Sequence, residues 1–231
     1  MVNILNYFNL SEPSERITNI YATPDDFKDF YHAISENEKR SVIRHFIINN
    51  VPYAFKEKPI LYEQLVQYLA DKLQISTNDI KLIGSAKTGF SVSPLPDYGR
   101  RFGQHSDLDF SIINEDIFFS LEREFNNWAD QYNNKTIFPN NARQESFWNS
   151  NLYEVPRYQL KNEFIDTYRI PNWSQFSMAK NINNSLALIA INLKNIHSLE
   201  IKQASVRVYK SWGSFSRKVN QNIDIVMKKT S

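Results

Sequence analysis

Residues 80–113 read IKLIGSAKTGFSVSPLPDYGRRFGQHSDLDFSII, and their reading decides the fold. Ile80 to Ile83 is a short apolar run, read as a strand, that ends at Gly84-Ser85. A strand running into Gly-Ser presents backbone N–H groups and a hydroxyl where the chain turns, the groups that hold a phosphate. Further on, Asp107 to Ile113 alternates polar and apolar residues, which predicts a second strand. Leu108, Phe110 and Ile112 would face one side and Asp107, Asp109 and Ser111 the other. Two carboxylates converging on one face repel each other, and a bound cation resolves that repulsion. Oxygen ligands without His or Cys favour Mg²⁺ or Mn²⁺.

Gly84 to Ser91 also approaches the P-loop pattern G-x-x-x-x-G-K-[ST]. The position that must be Lys is Phe90, and Lys87 lies on the wrong side of the second glycine, so a P-loop is rejected.

Strand, Gly-Ser, loop and Asp-x-Asp on a strand together resemble the DNA polymerase β-like nucleotidyltransferase superfamily. The resemblance implies a helix after Gly-Ser, two divalent ions, and transfer of a nucleoside monophosphate from an NTP such as ATP with release of pyrophosphate. It implies that Gly84 and Ser85 hold the β- and γ-phosphates, with Lys87 a further candidate, and that Asp107 and Asp109 ligate the metals. The preceding block, VPYAFKEKPILYEQLVQYLADKL (51–73), is similar to small bacterial stand-alone members of that superfamily.

Two features depart from the pattern. The gap from Ser85 to Asp107 is 22 residues, wider than usual, and carries Arg100 and Arg101 as candidates to fold over a triphosphate. The third carboxylate of the superfamily is not obvious. Glu200 and Asp166 are the candidates, and Glu200, just before a strand near 203–210, is preferred. Lesser candidates are His105 for a phosphate, and Arg207, Lys210 and Trp212 for an acceptor or base pocket. His32, His45 and His197 have no ligand spacing.

The rest of the chain bounds these readings. At 231 residues it is long enough for one sizeable core, and 42% hydrophobic with 23% charged residues is ordinary globular composition. The absence of cysteine excludes disulfides, thiolate metal sites and a catalytic thiol. No basic n-region precedes the first apolar residues, and the longest apolar run, Leu186 to Ile191, is too short to span a bilayer. A cytoplasmic protein with no membrane contact is the expectation. Net charge is +2, with Lys and Arg enriched after Lys194.

Helices are predicted from Pro24, from Ser35 through about Asn49, over Leu61–Leu73, over 116–132 and near 174–181, with a last one from Ser211. Strands are predicted near 186–193 and 203–210, and the stretch up to Pro171 is left without assignment. The expected architecture is an α+β domain (79–231) with a small mixed or antiparallel sheet flanked by helices, and an N-terminal helical segment (1–78) packed on it. The expected function is metal-dependent nucleotidyl transfer to an acceptor hydroxyl. An RNA or tRNA 3′ end is favoured over a protein hydroxyl, in a toxin or defence setting with a possible antitoxin or other protein partner. The rival is a degenerate module that binds a nucleotide or a partner without transfer.

Overall fold

A computed structural model describes residues 4–230. Its helices are α1 (Leu5–Phe8), α2 (Glu12–Glu15), α3 (Pro24–Ala33), α4 (Glu36–Ile43), α5 (Pro59–Leu73), α6 (Ser85–Thr88), α7 (Glu115–Asn133), α8 (Ala142–Glu154), α9 (Ser177–His197) and α10 (Trp212–Thr230). Its strands are β1 (Ile80–Ile83), β2 (Asp107–Ile113), β3 (Phe164–Asp166) and β4 (Gln203–Tyr209). Wider π turns prolong α4 over Arg44–Ile48 and α8 over Val155–Gln159.

Local chemistry sets several boundaries. The Thr23 side chain accepts from the Asp26 N–H and Pro24 opens α3, where a missing N–H costs nothing. At the start of α4, Glu38 reaches back to the Ser35 N–H (3.0 Å) and hydroxyl (2.6 Å). Asn114 caps α7 by accepting from the Ile117 N–H at 3.0 Å.

The sheet order is β1-β2-β4-β3, with β1 and β3 antiparallel to their neighbours and β2 parallel to β4. This is an α+β fold with a small mixed sheet flanked by helices. One sheet face, including Leu82, Leu108, Phe110, Ile112, Val206 and Val208, packs on α5, α7 and α9. Toward the C-terminal ends of β2 and β4 the other face is also apolar. There Ile113, Phe164 and Tyr209 join Phe27, Tyr31 and Ile43 from α3 and α4, and Phe215 and Ile223 from α10. Toward the N-terminal ends that face is polar, and the site lies there.

The strands at 80–83 and 107–113 stand where the apolar run before Gly84 and the alternation after His105 place them. The strand predicted near 186–193 does not form: those residues lie inside α9, which runs on from the helix predicted near 174–181. Its buried residues Ala179, Ile182, Leu186, Ile189 and Leu193 recur at helical spacing, which outweighs the β-like apolar run. The unassigned stretch holds α8 and the short β3. Among the described residues no helix is long and apolar enough to cross a membrane.

Candidate functional site

The parallel pairing of β2 with β4 sets Asp107 beside Gln203, Asp109 beside Ser205, and Ser111 beside Arg207, on one face of the sheet. Each carboxylate finds its neighbour: Ser205 Oγ donates to Asp109 Oδ1 at 2.7 Å, and Gln203 Nε2 donates to Asp107 Oδ2 at 3.2 Å. Asp107 Oδ1 is buried and has no hydrogen-bond partner. An acceptor left so is costly unless a donor or cation completes it. Burial pushes the Asp109 carboxyl upward, reinforced by the charges of Asp107 and Asp166 and opposed by the Ser205 hydrogen bond and Arg207.

Across β1, Gly84 adopts φ +70°, ψ −159°, a backbone region that is essentially glycine's alone. A Cβ there would stand 2.8 Å from Asp109 Oδ2. The glycine therefore allows both the turn and the approach of the Asp109 carboxylate to the main chain. Ser85 follows as the first residue of α6, as the resemblance implies.

Asp166 enters from β3. It is 5% exposed, and both its oxygens are engaged: Arg207 Nε donates to Oδ1 (2.7 Å), while Arg207 Nη2 (3.0 Å) and Gln159 Nε2 (2.9 Å) donate to Oδ2. Phe164 lies under the guanidinium, its centroid 4.4 Å from Cζ. Two cavities meet along this line. One, of about 340 Å³, lies between the sheet and α10 and reaches Gly84, Ser93 and Asn222. The other, of about 480 Å³, opens beside the first residues of β4. Asp109, Asp166, Ser205 and Arg207 line both.

Of the two candidate third carboxylates, Asp166 shares these cavities. Glu200 is exposed in the loop before β4 and lines neither. Lys87 is 2% exposed and points away: its ammonium donates to the Asn50 carbonyl (2.7 Å) and to that of Asn49, at the end of the helical run that α4 begins. Burial, with the charge of Lys81, lowers it to about 8. Arg100 pairs with Asp97 at 3.1 Å, Arg101 is exposed, and neither lines the cavities. Their loop is bonded to itself, from Ser91 N–H to the Arg100 carbonyl (2.8 Å) and from Phe102 N–H to the Gly89 carbonyl (2.9 Å), and Val92 and Ser93 are its residues at the first cavity. His105 is exposed, Lys210 lies 3.8 Å from Glu115, and Trp212 is near the Lys81 ammonium (5.8 Å).

Sequence reasoning overlooked Gln203, Ser205 and Gln159. Alternation along 203–209 was the signal for the first two, since it puts 203, 205 and 207 on one face. No local signal marks Gln159, which sits in the π turn after α8.

The donor set suits a hard cation. Among the described residues no group of three or more His, Cys, Asp or Glu could hold a metal ion, so Asp107 and Asp109 are the protein oxygens on offer, led by the unpartnered Asp107 Oδ1. Mg²⁺ commonly takes one or two carboxylates and completes its shell with water and phosphate. Comparison of the chain with protein-family models, with curated proteins and with solved structures returns no match.

Proposed function

We propose that the protein is a metal-dependent nucleotidyltransferase of the polymerase β-like type, moving a nucleoside monophosphate from an NTP to an acceptor hydroxyl. The observation that carries this reading is the approach of Asp109 to Gly84, with the unpartnered Asp107 Oδ1 on the same face. It brings a main-chain turn fit for phosphate against a carboxylate pair fit for Mg²⁺ or Mn²⁺. When bound, one or two such ions would neutralise the phosphates and stabilise entering and leaving oxygens of an in-line displacement. Gly84 and Ser85 anchor the departing pyrophosphate. Asp107 and Asp109 hold the metal, and Ser205 and Gln203 fix the orientation of their carboxylates. The acceptor oxygen bonds to the α-phosphorus as the α–β bridging oxygen leaves, and Asp166 takes the hydroxyl proton.

That role requires Asp166 to loosen from Arg207, and the bidentate clamp favours a second reading, a site that binds metal and nucleotide without transfer. The wild-type chain incubated with labelled NTP, Mg²⁺ or Mn²⁺, and cellular RNA or lysate should label RNA, protein or a small product. Asp107→Ala and Asp109→Ala should label none; equal labelling by wild type and variants refutes the assignment. Asp166→Asn separates the two readings: transfer requires that it keep NTP binding and lose labelling. Binding by wild type with no labelled product leaves the second reading.

A further inference from the structure

β2 accompanies β4 from Gln203 to Tyr209, whereas β3 covers Arg207, Val208 and Tyr209 alone. After Asp166 the chain turns away through Thr167–Arg169, leaving a notch beside Gln203–Val206. Its floor is Asp107, Asp109 and Asp166, and its outer wall includes Tyr168 and Asn183.

At the mouth of this polar notch stands an aromatic surface that the core does not use. Tyr168, 50% exposed, stacks on Phe147 of α8, 39% exposed, with centroids 6.4 Å apart and planes at 22°. The Arg169 guanidinium lies 5.3 and 5.6 Å from the two rings and is itself anchored by Asn151 (2.8 Å) and Glu154 (2.9 Å). The rings therefore sit on a braced support. Arg143, one turn before Phe147 on α8, and Lys180, one turn before Asn183 on α9, have no ion pair among the described residues. Exposed rings, with unpaired cations one helical turn from Phe147 and from Asn183, are what single-stranded nucleic acid uses, bases on the π-faces and phosphates on the charges.

We propose that this notch admits the acceptor, and that the acceptor is the 3′ end of a single-stranded nucleic acid whose terminal bases stack on Tyr168 and Phe147 while its phosphates meet Arg143 and Lys180. The acceptor role rests on the nucleotidyltransferase reading; the binding surface is tested apart from it. Fluorescence anisotropy of short 5′-labelled RNA and DNA single strands is measured on the full chain without nucleotide, at low and moderate salt. MgATP affinity is titrated separately.

One or both strands should bind, more weakly as salt rises. Tyr168→Ala should weaken that binding about tenfold, Tyr168→Phe should retain it, and MgATP affinity should be unchanged in both. The strand that binds more tightly identifies the acceptor as RNA or DNA. Oligonucleotide binding without MgATP binding refutes the nucleotidyltransferase reading and leaves the stacking surface standing. Failure of both strands to bind, equal binding by wild type and Tyr168→Ala, or transfer of label to protein alone overturns the proposal.

Discussion

Replacing Gly84 by alanine tests the geometry on which the site depends. Two costs add. An L-residue held near φ +70°, ψ −159° is strained by about 1–3 kcal/mol. The new methyl group would also stand 2.8 Å from Asp109 Oδ2, so the carboxylate must move, putting its 2.7 Å bond from Ser205 at risk for about 1 kcal/mol more. Gly84→Ala should thus lower the unfolding free energy by about 2–4 kcal/mol, read from urea denaturation, and MgATP binding should be lost. The two costs separate in an Asp109→Ala background, where the steric part disappears and Gly84→Ala should cost about 1 kcal/mol less. If Gly84→Ala unfolds within about 0.5 kcal/mol of wild type and binds MgATP equally well, the glycine is not what admits the carboxylate and the site reading fails.

Removing Arg207 should destabilise more than removing the whole pair. Arg207→Ala leaves a buried carboxylate unpaired, for about 3 kcal/mol, the lower end of the usual range because its side chain is one-third exposed; Asp166→Asn with Arg207→Met should lose less in the same denaturation assay. Glu38 gives an acid signature. Burial alone would raise its carboxyl, but hydrogen bonds from Ser35 and Ser11 outweigh that and hold it at about 2 against the ordinary 4.5. Its stabilisation is complete above pH 4.5 and lost as pH falls toward 2, at most about 3 kcal/mol, so Glu38→Gln should flatten wild type's acid slope in that window. Lys87 acts in alkali with the opposite sense. Its lowered value, about 8 against 10.5, makes the folded state release a proton that the unfolded chain retains. Wild-type stability should rise between pH 8 and 10.5 relative to Lys87→Met, as measured by urea midpoints across that range.

What could be read from the sequence was what is local in it. The Gly84 turn, the Asp107–Ile113 alternation and the α5 and α7 stripes each declare themselves within a few residues. Asp166 does not: three residues of β3 between a π turn and a tight turn have no period to detect. Its partner Arg207 lies 41 positions away, joined only by the antiparallel pairing of β3 with β4. Glu200 shows the same limit from the other side: nearness to a strand in sequence does not put a carboxylate on the face that carries Asp107, and Glu200 stays exposed in the loop before β4. In α9 the error was one of period: Leu-Ala-Leu-Ile-Ala-Ile reads as a strand until Ala179, Ile182 and Leu193 extend it at helical spacing.

Lys87 begins beside the Gly84 turn and ends on the carbonyls of Asn49 and Asn50, while Ile47 reaches the same cavity as Gly84 and Asp109. Occupancy at the carboxylates should therefore register far away in sequence. Amide hydrogen exchange across residues 42–50 should slow when MgATP binds, giving a reporter that needs no label at the site and no turnover.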